Sequence, residues 1–364
     1  MKEPKNTDSY VVILAGGIGS RFWPISKQDT PKQFLDLLNV GETMLQSTYN
    51  RYVGLVPKEN IYVISNQLYA PIICAQLPEL DPNQLILEPL RKSTAASMLF
   101  VLFKIAKINP DAQVLVSPAD HVILHQTRLE VAFERSMAFV KNYNQILVWA
   151  ASPTQPETHY TYIQYHPEPV EGDIYAVKTL AEYPSADMAA VFFSSGEFLW
   201  NMGIFAANAN TWLLAYKNHL PDLYELFVHG TDVYNTVYEQ EFIDVTYPRC
   251  PQTTIKRGIL YNAQNLNVLK CQLGWGKIHN WAALYQHHAK DYVGNAVGGN
   301  TVVMYDSSGC VVKVPNNKLV IVQGLEDYII ADSENALIIC KRSEESHLKN
   351  MTNLIARKNG DKFL

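Results

Sequence analysis

The sequence has few cysteines and no long apolar segment. Its five cysteines form no Cys-x-x-Cys pair, so they predict neither a zinc site nor a disulfide framework, and we expect buried thiols. No apolar run approaches the roughly 18 residues that a membrane-spanning helix needs. Residues 1–9 are polar where a signal peptide has an apolar centre. We therefore expect a cytoplasmic protein that has no membrane partner.

A large excess of positive charge is also lacking. The 364-residue chain has a formal net charge of -5, and charged residues make up 18% of it. Proteins that bind nucleic acid usually present a cluster of positive charge, so we expect no nucleic-acid partner and small-molecule ligands instead. The apolar content of 48% is typical of globular proteins, and the length suits one large domain with a smaller one.

The first 150 residues alternate short apolar runs with amphipathic segments. The patterns predict buried strands at residues 10–15, 61–65, 85–87, 113–117 and 146–151, and helices at 43–55, 69–77, 93–107 and 130–142. This alternation is typical of the α/β class with a doubly wound, mostly parallel sheet. Residues 154–184 have a looser pattern, which predicts loops and antiparallel strands that wall a pocket at the carboxyl edge of the sheet.

A glycine-rich loop, Gly-Gly-Ile-Gly-Ser-Arg at residues 16–21, follows the first predicted strand. Glycines allow backbone N–H groups to approach phosphate oxygens closely, and Arg21 and Lys32 can supply positive charge. The loop is not a dinucleotide fingerprint, because Phe22 stands at the position of the third glycine, and it lacks the Gly-Lys-Ser/Thr of a P-loop. A nucleotide cradle and a simple tight turn remain the two interpretations.

An acidic residue follows the predicted strand at 113–117, in the segment Ser-Pro-Ala-Asp-His. Asp120 should lie at the sheet edge where the glycine loop emerges. Because Mg²⁺ prefers carboxylate oxygens, Asp120 is the metal ligand that we predict. The alternative for Asp120 is a helix N-cap or an Asx turn. For His121, a structural histidine and a ligand contact are both open.

Residues 14–34, LAGGIGSRFWPISKQDTPKQF, closely resemble the signature of sugar-1-phosphate nucleotidyltransferases, and in particular its mannose-1-phosphate guanylyltransferase branch. The resemblance implies a Rossmann-like nucleotidyltransferase fold, transfer of GMP from GTP to mannose 1-phosphate with release of pyrophosphate, and Mg²⁺ as cofactor. It implies Arg21, Lys32 and Asp120 as catalytic residues. The implied nucleotide cradle consists of Leu14, Ala15, Gly16, Gly17, Gly19, Ser20 and Pro118.

Two further segments resemble substrate-binding motifs of that family. Residues 88–96, EPLRKSTAA, are similar to Glu-Pro-x-x-Arg-Asn-Thr-Ala, which implies nucleotide contacts by Glu88, Pro89 and Thr94. The second segment, at residues 198–205, resembles Trp-Asn-Ser-Gly-Met-Phe. It implies that Asn201 binds sugar hydroxyls, although a turn asparagine is the alternative. Two other residues, Glu182 and Tyr162, complete the implied sugar site.

Among the positions that differ from the family pattern, three change the charge of the implied site. Tyr183 replaces the lysine that is expected to hold the sugar phosphate, and Lys256 and Lys277 replace aspartates, the second of which would be a metal ligand. Three hypotheses follow: an active mannose-1-phosphate guanylyltransferase, a nucleotide-binding regulatory homologue with weak or no turnover, and a nucleotidyltransferase of altered specificity.

The composition changes near Asp291. Short apolar runs at residues 301–305, 311–314, 319–322, 328–331 and 336–340 predict a compact all-β module, followed by a helix at 344–357. We therefore predict a nucleotidyltransferase domain at 1–290 and a C-terminal module at 291–364. The resemblance implies that the module is β-helix-like and joins subunits into a homo-oligomer.

Overall fold

The computed structural model describes residues 7–17, 19–299 and 301–363. The strands before residue 290 are β1 (Ser9–Leu14), β2 (Ile61–Asn66), β3 (Leu85–Glu88), β4 (Gln113–Pro118), β5 (His121–Ile123), β6 (Ile146–Ala151), β7 (Thr161–Glu171), β8 (Ile174–Glu182), β9 (Phe198–Asn208), β10 (Leu266–Cys271) and β11 (Trp275–Lys277).

The α-helices of the same part of the chain lie on both faces of the sheet and at its ends. They are α1 (Met44–Tyr52), α2 (Ala70–Gln76), α3 (Thr94–Ile108), α4 (Gln126–Asn142), α5 (Ala186–Ser195), α6 (Ala209–His219), α7 (Pro221–Val228), α8 (Glu239–Thr246) and α9 (Trp281–His287). Among the described residues, every helix is too short or too polar to span a bilayer.

A nine-stranded sheet with the order β3-β2-β1-β4-β9-β6-β10-β8-β7 forms the centre of the fold. The pairs among β3, β2, β1 and β4 are parallel, as is the pair of β6 with β10. β9 is antiparallel to both β4 and β6, and β8 is antiparallel to β10, so these two strands run against the rest. The predicted doubly wound, mostly parallel α/β sheet is confirmed.

Alternation along β1 explains why the sheet has a core on each face. Tyr10 and Val12 pack into one buried cluster, whereas Val11 and Ile13 pack into the other. Successive side chains of a strand point to opposite faces, so a strand that is covered on both sides reads as a continuous apolar run. The same reasoning holds for β4 and β6.

Several boundaries differ from the predictions. α4 begins at Gln126 rather than at residue 130, because its first turn is exposed and polar and gives no apolar periodicity. α1 ends at Tyr52, earlier than predicted, although its start after Thr43 is fixed by a capping box with Gln46. The prediction of buried thiols is wrong for Cys74, which is exposed because its neighbour Ile73 takes the core-facing position of α2.

The C-terminal module consists of stacked short strands. They are β12 (Ala296–Gly298), β13 (Val302–Tyr305), β14 (Val311–Lys313), β15 (Val320–Gln323), β16 (Tyr328–Asp332) and β17 (Leu337–Lys341). β12, β14 and β16 pair in parallel, and so do β13 and β15, which gives the coil-on-coil arrangement of a β-helix-like module; β17 closes one edge antiparallel. The predicted terminal helix is split, because Arg342–His347 is a 3₁₀ helix and α10 (Leu348–Asn359) follows it.

The two predicted domains share buried surface. Phe22 and Trp281 belong to the same apolar cluster as Val311, Ile329 and Leu348. The Trp-Pro motif also contacts the end of the chain, where Trp23 Nε1 donates a hydrogen bond to the Phe363 carbonyl at 2.6 Å. The boundary near residue 290 therefore stays a prediction about sequence organisation, and the structure joins the two parts through a common core.

Candidate active site

A cavity of about 440 Å³ opens where β1, β3 and β4 end. The ends of two of these strands are tied together, since Ala119 N donates to the Leu14 carbonyl at 3.0 Å. The sequence-predicted residues in the cavity wall are Leu14, Ala15, Gly16, Gly17, Lys32, Glu88, Thr94, Pro118 and Asp120. Ligands bind at this edge in open α/β sheets, so the cavity is the candidate active site.

The glycine loop is held by a side chain that lies further along the chain. Gln33 Nε2 donates hydrogen bonds to the carbonyls of Ala15 and Gly17 at 2.8 and 2.7 Å. Gly19 has a φ of +61°, and a Cβ there would lie 2.9 Å from the backbone N of Lys32. Only glycine suits that position, because the loop turns in the left-handed region while the chain around Lys32 packs against it.

Lys32 and Asp120 form an ion pair in the cavity wall. Lys32 Nζ lies 2.8 Å from Asp120 Oδ2 and also donates to the Ile278 carbonyl at 2.6 Å. Burial acts to raise the pKa of the Asp120 carboxyl, but the charges of Lys32 and Lys277 outweigh that effect, and the pKa lies well below its usual range. Asp120 is therefore a carboxylate at neutral pH.

Lys277 reaches the same carboxylate from another strand. β11 pairs with β5 so that Lys277 is opposite His121, and Lys277 Nζ lies 4.0 Å from Asp120 Oδ2. The His121 ring is buried against Trp275 in an edge-on contact, and burial lowers the pKa of His121 to about 3. His121 is thus a neutral, packed histidine, and the cations that face Asp120 are the two lysines.

The residues present do not form a Mg²⁺ site of their own. The described part of the chain contains no group of three or more His, Cys, Asp or Glu residues that could hold a metal ion. Asp120 offers one carboxylate, and one of its oxygens already accepts a hydrogen bond from Lys32. Mg²⁺ requires several oxygen ligands in octahedral geometry, and two nearby ammonium groups oppose a further cation.

Glu88 and the start of α3 also line the cavity. Tyr247 Oη donates to Glu88 Oε1 at 2.5 Å, and burial raises the pKa of Glu88. A Cβ on Gly16 would lie 3.4 Å from Glu88 Oε2, so the carboxyl closely approaches the glycine loop. Thr94 Oγ1 accepts a hydrogen bond from Ile255 N at 3.2 Å, which ties the helix start to the segment around residue 254.

The residues predicted for the sugar are less open than those of the nucleotide cavity. Tyr162 is fully buried, and its hydroxyl accepts a hydrogen bond from Glu157 N at 2.9 Å. Asn201 Oδ1 accepts a hydrogen bond from Gly203 N at 2.6 Å, which is the turn geometry of the alternative interpretation. Its amide nitrogen is not part of that bond.

Glu182 is engaged by two cations. Lys256 Nζ forms an ion pair with Glu182 Oε1, and Arg257 Nε lies 3.5 Å from Oε2. Burial acts to raise the pKa of Glu182, but the hydrogen bond and charge of Lys256 outweigh it, so the pKa is lowered. Next to it, Tyr183 has a φ of +47° and is 58% exposed.

Other predicted residues lie outside the cavity wall. Arg21 is exposed on a 3₁₀ turn (Ser20–Phe22), and Gly19 and Pro89 are also outside the lining; the side chain of Ser20 is outside the described residues. Sequence reasoning did not name eight further lining residues, which are Gln33, Ile64, Arg91, Ser93, Ser97, Ala119, Gln252 and Thr254. Of these, Gln33, Arg91, Ser93 and Ala119 had a signal, because each lies within a segment that the sequence analysis singled out.

Comparison with known proteins agrees with this geometry. The family model described as nucleotidyl transferase matches residues 10–293. An Escherichia coli protein named mannose-1-phosphate guanylyltransferase is 30% identical over 93% of this chain and 74% of its own length. The alginate biosynthesis protein AlgA of Pseudomonas putida is 32% identical over 93% of this chain and 70% of its own length.

A solved structure from Thermus thermophilus is also similar over nearly the whole chain. It is named mannose-1-phosphate geranyltransferase, and it matches with a TM-score of 0.85 at 26% identity, covering 96% of this chain and 99% of that one. The similarity therefore extends beyond residue 293 and includes the C-terminal strands.

Proposed function

Because this chain belongs to the nucleotidyl transferase family, we propose that it transfers GMP from GTP to mannose 1-phosphate, giving GDP-mannose and pyrophosphate. The observation that supports this reaction most directly is the Lys32–Asp120 pair beside the glycine loop. In this pair Asp120 holds the Lys32 ammonium group beside the loop whose backbone N–H groups can bind phosphates.

The reaction needs no nucleophile from the protein. A phosphate oxygen of mannose 1-phosphate attacks the α-phosphorus of GTP, a new P–O bond forms, and the bond from the α-phosphorus to the bridging oxygen breaks as pyrophosphate leaves. The protein positions the substrates and stabilises the negative charge that develops at the phosphorus. Lys32 and Lys277, which both face Asp120, are the cations placed for that role.

Glu88 is suited to the base. Guanine presents N–H donors on its base-pairing edge, and a buried carboxyl that lies against the glycine loop can accept from them. Arg91 also lines the cavity, where its guanidinium donates to Tyr69 Oη at 2.8 Å and is held in place. Two polar side chains from one segment, Glu88 and Arg91, thus line the cavity and are available to the base.

We propose that Asp120 would contact a Mg²⁺ ion brought in with GTP, since Mg²⁺ is often bound through one or two carboxylates together with substrate phosphates. Such an ion would supply further charge at the phosphates. No step described above depends on it, because the ammonium groups of Lys32 and Lys277 already bring positive charge to Asp120.

We also propose that the C-terminal module contacts a second copy of the chain. Val303 and Ile321 are paired across β13 and β15, and both are at least half exposed, as is Tyr305 on the same strand as Val303. An apolar strand face of this kind is typical of interfaces between subunits. Light scattering should give a mass above that of one 41.1 kDa chain.

A pyrophosphate-release assay with four nucleoside triphosphates and several sugar phosphates tests the proposed reaction. We expect release with GTP and mannose 1-phosphate above the other pairs. Binding of GTP without release in any pair would favour the regulatory homologue, for which the lysines at 256 and 277 are the supporting observation. Release with a different pair would favour the third hypothesis, an enzyme of altered specificity.

A further inference from the structure

Two cations converge on one carboxylate at the end of β8. Lys256 Nζ contacts Glu182 and lies 3.1 Å from Thr161 Oγ1, while Arg257 Nε lies 3.5 Å from the second oxygen of Glu182. The side chains of Lys256 and Glu182 are 23% and 16% exposed. One negative charge against two positive charges leaves this cluster with a net positive charge at a partly open position.

The cluster adjoins the nucleotide cavity. Lys256 begins a π-helical turn (Lys256–Leu260) directly after Thr254, which lines the cavity, and Ile255, whose N–H bonds to Thr94 at the start of α3. On its other side Lys256 contacts Thr161, which is paired with Glu182 across β7 and β8. The ammonium group therefore lies between the nucleotide cavity and the paired strands β7 and β8 beside it.

Tyr183 supports the position of this ammonium group. Lys256 Nζ lies 5.2 Å from the centre of the Tyr183 ring, within the range of a cation–π contact. Tyr183 has a left-handed backbone with a φ of +47°, which is an unusual conformation for a non-glycine residue. Residue 256 thus brings a cation next to position 183, where the sequence analysis finds one missing.

We propose that Lys256 binds the phosphate of the sugar phosphate, with Tyr183 and Glu182 as positioning residues for its ammonium group. This inference rests on the proposed function, because it takes the second substrate to be a sugar 1-phosphate. Without substrate, Glu182 holds the ammonium group. With substrate, a phosphate dianion competes for it, and charge-assisted hydrogen bonds from Lys256 and Arg257 are available to the phosphate oxygens.

Replacement of the lysine tests the proposal by binding as well as by turnover. Lys256→Met in the full-length chain should bind mannose 1-phosphate about 10- to 100-fold more weakly, which is the range for loss of a hydrogen bond to a charged group. Calorimetry in the presence of a non-hydrolysable GTP analogue measures this directly. Binding of the analogue itself should be unchanged. Lys178→Met, which removes an exposed lysine of the same strand β8, is the matched control and should bind both ligands as the wild type does.

A rescue experiment separates substrate binding from a structural ion pair. Lys256→Arg should retain most of the affinity, and Tyr183→Lys added to Lys256→Met should recover it, because a lysine at 183 begins beside the same position. A purely structural pair would instead give a lower melting temperature, no selective loss of mannose 1-phosphate binding and no recovery. Equal losses for both ligands, or wild-type affinity in a folded Lys256→Met variant, would overturn the proposal.

The proposed function and this inference can fail separately. Wild-type protein that binds mannose 1-phosphate through Lys256 but releases no pyrophosphate would contradict the reaction and support the binding role. Pyrophosphate release with an unchanged KM for mannose 1-phosphate in Lys256→Met would support the reaction and contradict the binding role. Wild-type protein with no affinity for mannose 1-phosphate would contradict both.

Discussion

Lys32 Nζ lies 2.8 Å from Asp120 Oδ2, although the two residues are 88 positions apart in the chain. Lys32 comes after the glycine loop that follows β1, and Asp120 comes just after β4. Their side chains are only 11% and 20% exposed. Because both side chains are partly buried in the cavity wall, the attraction between the two charges orients them before substrate arrives. Charge that is already oriented costs little reorganisation when the transition state forms.

Lys32→Ala should therefore reduce turnover strongly. Loss of one preorganised cation or donor at the reacting phosphate typically lowers the rate about 100- to 1000-fold. GTP binding, measured by calorimetry, should also weaken. Lys27→Ala is a suitable control, since Lys27 Nζ contacts Asn335 at an exposed position. If Lys32→Ala bound GTP and turned over like the wild type, Lys32 would have no role in the site.

Glu88 should make the stability of the protein depend on pH. Because burial raises its pKa above the ordinary value of 4.5, the folded state binds the proton more tightly than the unfolded state. By linkage, the contribution of Glu88 to the free energy of unfolding is complete below pH 4.5 and is lost as the pH rises through the folded-state pKa. Glu88→Gln should remove this loss, so the variant gains stability relative to the wild type with rising pH.

Urea denaturation of both proteins from about pH 4 upward measures that difference, and other titrating groups cancel in it. Tyr247→Phe should steepen the dependence, because it removes a hydrogen bond that stabilises the Glu88 carboxylate. The wild type, Glu88→Gln and Tyr247→Phe therefore form a graded series. Parallel stability curves for the wild type and Glu88→Gln would show that the pKa of Glu88 is the same in the folded and unfolded states.

The shared core predicts that the C-terminal module unfolds together with the rest of the chain. Ile329 on β16 is fully buried in the cluster that contains Phe22 and Trp281. Ile329→Ala should lower the free energy of unfolding by about 2 to 5 kcal/mol. Leu337→Ala on β17, at a position that is 58% exposed, should change it by no more than about 0.5 kcal/mol.

Tryptophan fluorescence and far-ultraviolet circular dichroism should report one transition that shifts as a whole in Ile329→Ala. The reason is that a cavity in the common cluster weakens both sides of residue 290 at once. Two separate unfolding transitions, with a shift only in the one of smaller amplitude, would contradict this prediction. They would mean that the module folds on its own and that the two parts of the chain unfold independently on either side of residue 290.

Local patterns were sufficient for the parts of the site that directly follow a strand. Gly16 and Asp120 were predicted because each comes just after a continuous apolar run, and the carboxyl ends of parallel strands meet at one edge. Gln252 and Thr254 had no such signal. They lie in a loop that reaches the cavity only because the following segment bonds to Thr94.

The fold shows the same limit of sequence reasoning. The strands β1, β4 and β6 were predicted, but the insertion of the antiparallel β9 between β4 and β6 depends on packing across the whole sheet. Helices α5 to α9, which are 7 to 11 residues long, were not predicted. Arg21 was predicted to face the phosphates, whereas its short turn leaves it exposed.

Lys277 gives a prediction about metal dependence. Its ammonium group lies 4.0 Å from Asp120 Oδ2, so it already supplies positive charge where a carboxylate would have favoured a metal ion. Wild-type turnover should therefore continue at low Mg²⁺. Lys277→Asp should raise the Mg²⁺ concentration required for half-maximal turnover by about tenfold or more. We expect this moderate effect because the Lys277 side chain is 41% exposed and its charge is partly screened by solvent. GTP binding in EDTA, measured by calorimetry, should weaken in Lys277→Asp and recover when Mg²⁺ is added.

Lys290→Asp makes the same charge change at an exposed lysine that bonds to the Gln286 carbonyl, and should leave both measurements unchanged. If the wild type lost all turnover and GTP binding in EDTA as steeply as Lys277→Asp does, Lys277 would not substitute for metal charge, and a Mg²⁺ held by Asp120 and the phosphates would have to supply it.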